Sequence, residues 1–146
     1  MAWFIFMRTY HIYTDASSKD TTMFPGGVKR TTKVGVIVVD SNILDIYYNR
    51  KEKFINSHLA ELQAITESVN YIREKYHSNN IIVYTDAFCH VAKSLKKLVK
   101  SGIKINHVKG HCPGRKGLKY KFNCLADWIS RNGVYTWKDY YYRHLL

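Results

Sequence analysis

Tyr13-Thr14-Asp15-Ala16 and Tyr84-Thr85-Asp86-Ala87 repeat the same four residues, each at the close of a strand-like run, His11 to Ala16 and Ile81 to Ala87. An aspartate at the carboxyl end of a buried strand projects from the sheet edge, where open α/β folds place ligands. If the two strands are neighbours, Asp15 and Asp86 crowd each other. Their mutual repulsion then favours ionisation of both only with cations between them. The pattern points first to a metal site.

Two further acids can join them. From about Ser57, Leu59, Leu62, Ile65, Val69 and Ile72 recur at helical spacing, with Glu61 on the flank of that apolar stripe in the first turn or two. Asp127 falls near the start of a predicted last helix, Asn123 to Asn132. Both are expected near helix amino ends, where the macrodipole favours the anionic form. Taken singly, each is equally well a solvated helix acid. Together the four carboxylates are expected to converge on one edge of a sheet.

The elements that must position them follow from the pattern. Thr9 to Ala16 reads as the first strand, and the polar stretch Ser17 to Thr32, with Pro25-Gly26-Gly27, as a loop. Lys33 to Val39 is rich in β-branched residues, and Asp40-Ser41-Asn42 turns it into Ile43 to Tyr48, giving an antiparallel meander. After the long helix, Asn79-Asn80 breaks the chain before a fourth strand, Ile81 to Thr85. A second helix is predicted over Phe88 to Lys100, ended by Ser101-Gly102, and a fifth strand over Ile103 to Val108. The order βββαβαβ suits a mixed α/β sheet in which parallel crossovers set strand four beside strand one.

With 146 residues, the chain has room for one domain with a proper core. A single unit is expected, with residues 133–146, including Trp137 and Tyr140-Tyr141-Tyr142, as an aromatic carboxyl-terminal extension that packs on it. The segment Met1 to Met7 is apolar but too short to cross a bilayer and lacks the features of a secretory signal, so a cytoplasmic protein with no membrane association is expected. Cys89, Cys112 and Cys124 are odd in number and without framework spacing, which predicts reduced thiols. Against 11 acidic residues stand 23 basic ones, a formal net charge of +12, and this excess implies a polyanionic partner, nucleic acid first.

Five segments, Tyr13-Thr14-Asp15-Ala16-Ser17, Ala60-Glu61-Leu62-Gln63-Ala64-Ile65, Tyr84-Thr85-Asp86, His107-Val108-Lys109-Gly110-His111 and Asn123-Cys124-Leu125-Ala126-Asp127, occur in the order found in the ribonuclease H family, which the chain resembles from Thr9 to about Asn132. The resemblance implies a ribonuclease H-like five-stranded sheet of order 3-2-1-4-5 flanked by helices. It implies an endonuclease that cuts the RNA strand of RNA/DNA hybrids, leaving 5'-phosphate and 3'-hydroxyl ends, by a two-metal mechanism using Mg2+ or, as a substitute, Mn2+. Two such ions activate water, shield the charge that builds at phosphorus and assist the departing oxygen; carboxylate oxygens are the hard ligands they need. By the family pattern, Asp15 bridges both ions, Asp127 holds the one that activates water, and Glu61 with Asp86 holds the one nearer the leaving group. His111 matches the family's mobile-loop histidine, which assists proton movement or product departure.

Departures from the family pattern bear on selectivity. The glycine- and asparagine-rich turn whose amides read RNA 2'-hydroxyls is replaced by Ser17-Ser18-Lys19-Asp20-Thr21-Thr22, Ser57 and His58 stand where relatives carry asparagines, and Phe88 stands where a glutamine often follows the third acid. Contacts to the 2'-hydroxyl are what distinguish RNA from DNA. Substrate grip is expected from Ser17, Ser57, His58, Asn123 and Lys109, from Lys93, Lys96, Lys97 and Lys100 on one helix face opposite Leu95, Leu98 and Val99, and from Arg115, Lys116, Lys119 and Lys121. The alternatives are a resolvase- or integrase-like nuclease acting on DNA, a non-catalytic nucleic-acid-binding module, and a zinc site built from His107, His111, Cys112 and Cys124. A monomer is expected.

Overall fold

The computed structural model describes residues 8–20, 29–52, 56–87, 93–108 and 121–146. Three strands, β1 (Tyr10–Asp20), β2 (Lys29–Val39) and β3 (Asn42–Lys51), form the expected meander, followed by α1 (Ser57–Tyr76), β4 (Ile81–Thr85), a short α2 (Lys96–Lys100) and β5 (Lys104–His107). Then come α3 (Lys121–Asn132), α4 (Trp137–Tyr140) and a π-helical turn, Tyr141–Leu145. The sheet runs β3-β2-β1-β4-β5, with β1 antiparallel to β2 and parallel to β4.

The β1–β2 hairpin is longer than its composition suggests. Ser17 to Asp20 pairs with Lys29 to Thr32, so polar residues expected in a loop belong to the ladder. Alternation on β2 then divides the core. Val34, Val36 and Val38 pack on α3, while Ile37 and Val39 point to the opposite face with Ile12, Ile65, Val69 and Ile72. Helices thus cover both faces of a sheet whose central strand, β1, lies between β2 and β4.

The packing of α1 sets the reach of Glu61. Asn56 Oδ1 caps the helix by accepting from Leu59 N at 2.7 Å, and His77 ends it in the left-handed conformation. The buried face carries Ala60, Ala64 and Ser68 beside Ile65, Val69 and Ile72, and Leu59, expected on the apolar stripe, is exposed. Small side chains let the helix approach the sheet. At Gly35 an added Cβ would stand 2.4 Å from Ser68 Oγ, closer than real side chains come. The second helix is shorter than predicted within the described residues. Leu95 is buried and Leu98 packs against the core, but Val99 is exposed with the lysines. The carboxyl-terminal aromatic segment packs, with Tyr141 and Leu145 joining the α3 core.

One cysteine expectation fails. Cys124 is buried and disulfide-bonded, its partner lying outside the described residues, so it is not a reduced thiol. Sequence spacing says nothing of which sulfurs the fold brings together, and an odd count does not prevent one pair. A sulfur in a disulfide is no thiolate ligand, which removes Cys124 from the zinc alternative; His107 is exposed at the end of β5.

Candidate metal centre

The last paired rung between β1 and β4 is Tyr13 with Tyr84, whose rings stack at 4.4 Å between centroids. Asp15 and Asp86 each follow two residues later, on adjacent strands. Neighbouring strands lie about 4.8 Å apart, so the two aspartates emerge side by side from the carboxyl edge. The repeated Tyr-Thr-Asp is the local cause: identical strand endings in parallel register deliver identical side chains to the same place.

Glu61 enters from α1. Its Oε1 accepts from Ala16 N at 3.3 Å, tying the helix to the residue beside Asp15. One carboxylate oxygen from each of Asp15, Glu61 and Asp86 lies within 4.8 Å of the others. Asp127 lines the same pocket of about 320 Å³ but lies outside that tightest trio. It sits in the middle of α3 and not near its amino end, because the helix starts at Lys121, two residues before the predicted start. The macrodipole therefore does little for it, and a side chain supplies the countercharge: Arg131 Nη2 donates to Asp127 Oδ1 at 2.9 Å, one turn away.

The electrostatics are those of a crowded acid cluster. Asp15, only 7% exposed, has its carboxyl pushed well above the usual range by burial first and then by the charges of Glu61, Asp86 and Asp127. Burial and the Asp86 charge push Glu61 up to about 8. Ser130 Oγ stands 3.3 Å from Asp15 Oδ2 and 2.7 Å from the Asp127 carbonyl oxygen, holding the strand acid against α3. Glu61 Oε2 is buried with no hydrogen-bond partner. An orphaned carboxylate oxygen beside two other carboxylates is costly without a cation, and the all-oxygen donor set suits Mg2+ or Mn2+. The residues fit a divalent-metal site.

Other predicted residues divide. Asn123 is buried and lines the acidic pocket, and Ser17 lines it with its hydroxyl donating to the Ser130 carbonyl at 2.7 Å. Ser57 and His58 are exposed in the first turn of α1 and are not among the described residues lining that pocket. Lys93, Lys96, Lys97 and Lys100 are exposed. His111, Lys109, Arg115, Lys116, Lys119 and Phe88 lie outside the described residues. Ser130 and Arg131 escaped the sequence reading, although helical spacing of three and four residues from Asp127 places both on its face.

No family model matches the chain, and no curated protein matches it. Its sheet order and flanking helices agree with solved structures. One is a CSH mutant of prototype foamy virus protease-reverse transcriptase, 20% identical with a TM-score of 0.65 over 88% of this chain and 21% of that one. Another is the foamy viral protease-reverse transcriptase in complex with dsDNA, 17% identical with a TM-score of 0.62 over 89% of this chain and 96% of that one. The fold is ribonuclease H-like. The likeness at these identities speaks to fold alone, and the chain spans about a fifth of the length of the first of these proteins. Among the described residues of this ribonuclease H-like chain, no helix is long and apolar enough to cross a membrane.

Proposed function

We propose that the chain is a metal-dependent endonuclease of ribonuclease H type, hydrolysing the RNA strand of RNA/DNA hybrids to 5'-phosphate and 3'-hydroxyl ends, and that residues 1–146 act as one catalytic domain. The observation that carries this reading is the Asp15, Glu61 and Asp86 cluster with its orphaned Glu61 oxygen, at the strand edge where this fold opens. Asp15, Glu61, Asp86 and Asp127 would hold Mg2+ or Mn2+. Bound there, divalent ions supply Lewis-acid activation of water and stabilisation of charge on the phosphoryl oxygens and leaving group.

The chain's own residues preorganise that site. Ser130 fixes the rotamer of Asp15, the Ala16 amide orients Glu61, and Arg131 holds Asp127 while balancing its charge. Asp15 sits centrally, coupled to each of the other three acids, which suits the bridging position. His111 is assigned the proton movement at product departure, for which an imidazole titrating near neutrality is suited. The net charge of +12 supports a nucleic-acid substrate.

A second reading, a nuclease acting on DNA, is favoured by the loss of the amide-rich turn after Asp15 and by the dsDNA in the complex of one structural neighbour. Matched hybrid, duplex RNA, duplex DNA and branched DNA, incubated with Mg2+ or Mn2+ beside Asp15→Asn, decide between them. Hybrid cleavage lost in the variant supports the first reading. Cleavage of DNA alone supports the second. No metal-dependent hydrolysis of any substrate rejects both and leaves a binding module.

A further inference from the structure

Beside the acidic pocket lies a second one of about 300 Å³ with the opposite character, and the two share Ser17, Ser130 and Arg131 as a common wall. Its lining carries three guanidinium groups, Arg30 on β2, Arg50 on β3 and Arg131 on α3, with the hydroxyl-bearing Thr32 and Tyr48 between them. Ser17 pairs with Thr32 and Thr32 with Arg50, while Arg30, two residues before Thr32 on the same strand, pairs with Lys19. The pocket thus exists because the polar end of the hairpin is strand and not loop.

The charge balance favours an anion. Arg131 is shared with Asp127, and Arg30 Nε stands 3.4 Å from Glu52 Oε1, yet that Nε is buried and makes no hydrogen bond. The side chains of Arg50 and Tyr48 have no hydrogen-bond or ion-pair partner among the described residues. The carboxyl end of α3, Asn132 and Gly133, also faces this space, and its dipole opposes an anion with roughly half a charge. One unpaired guanidinium and one incompletely paired one outweigh that. Guanidinium groups also offer the forked donors that phosphate oxygens accept.

We propose that this pocket is a phosphate subsite, which grips a backbone phosphate of the cleaved strand flanking the scissile one; this rests on the nuclease reading for the placement of that strand. An acidic pocket that must receive a phosphodiester repels it until metal is bound, and a cationic pocket sharing its wall offsets that repulsion for the adjoining phosphate. Arg30 and Arg50 are positioning residues here, since they touch substrate remote from the reacting atoms.

The test measures binding of a fluorescently labelled RNA/DNA hybrid by anisotropy, in EDTA so that nothing is cut, across a salt series. Arg50→Gln, at an exposed edge-strand position, is expected to raise Kd about tenfold and to lower the magnitude of the salt slope by about one, as does Arg30→Gln, while Arg50→Lys keeps the slope. Replacing single phosphates by methylphosphonate locates the contact: at one position beside the scissile phosphate, native and Arg50→Gln proteins bind alike. Native Kd and slope in both glutamine variants, or no such position, overturns the subsite. If native protein cleaves hybrid while both variants bind normally, the subsite fails and the nuclease reading stands. If nothing is cleaved but the arginine dependence holds, the nuclease reading fails and the anion pocket stands.

Discussion

Glu61→Gln should make the metal-free protein more stable, and only above the ordinary carboxyl range. In the unfolded chain Glu61 loses its proton near pH 4.3, whereas in the fold burial and Asp86 hold it until about 8. Between those values the unfolded state binds fewer protons than the folded one, so stability falls as pH rises, by about 1.4 kcal/mol per pH unit for this one group. Summed over the window the loss would reach about 5 kcal/mol. Water and counter-ions entering the open acidic pocket reduce it, to roughly 2 kcal/mol or about 8 °C in Tm for a chain of this size. Glutamine does not titrate and leaves Asp15 and Asp86 one fewer charge to oppose.

The assay is thermal unfolding of native and Glu61→Gln proteins in EDTA from pH 4 to pH 9, read as the difference between them. Asp45 and Glu67, held below the usual carboxyl range by hydrogen bonds from Lys75 and Lys33 that overcome their burial, lose stability as pH falls, but they do so in both proteins and cancel. The curves should meet near pH 4 and diverge steadily to pH 8. Mg2+ at about a hundred times its Kd should restore about 2.7 kcal/mol to the native protein at pH 8 and much less to the variant. Parallel curves, or a native Tm indifferent to both pH and Mg2+, would refute the crowded-acid account.

Further outcomes follow from the same geometry. Asp15→Asn should abolish cleavage while the apo protein melts no lower than native, since asparagine has no ionised form for burial and the neighbouring acids to oppose; an active variant or a lower apo Tm contradicts this. His111→Ala should slow turnover under multiple-turnover conditions without abolishing it, and unchanged kinetics would remove His111 from the site. Gly35→Ala should cost about 1–3 kcal/mol in denaturant unfolding through the clash with Ser68, whereas Ser68→Ala, which deletes a buried hydroxyl with no partner, should be neutral or stabilising and should recover part of the loss in the double variant. Glu67→Ala should cost about 3–5 kcal/mol, because it leaves the buried ammonium of Lys33, which lies 2.6 Å from Glu67 Oε2, with the neutral Gln63 Oε1 but without its countercharge.

What was legible in the sequence was whatever a local period or a repeated motif encodes. The doubled Tyr-Thr-Asp fixed two parallel strand ends and hence two acids, and the helical period of α1 placed Glu61 one turn inside its cap. The hairpin extension was not legible, because Ser17 to Asp20 and Lys29 to Thr32 have loop composition and gain strand structure only by pairing with each other. The exposure of Leu59 and Val99 was hidden for a related reason: periodicity gives a face but not where the sheet beneath it ends. The disulfide of Cys124 depends on a partner chosen by the fold, which spacing does not reveal.

The hairpin that composition concealed ties these observations together. Continuing β1 past Asp15 as a paired strand keeps the acid on a rigid element, and the same pairing lines up Ser17, Thr32 and Arg50 across three strands. A loop at that place would leave Asp15 at a free strand end and would scatter the arginines. The polar ladder therefore supports the acidic centre and the basic pocket at once, and Ser130, bonded to Asp15 and accepting from Ser17, pins α3 to both. Thr32 and Ser130 are buried in this arrangement as polar residues, outside the two hydrophobic clusters of the core. The physical return of the arrangement is two adjoining pockets of opposite charge, sharing Ser17, Ser130 and Arg131, held at fixed spacing, which is what the proposed phosphate subsite requires.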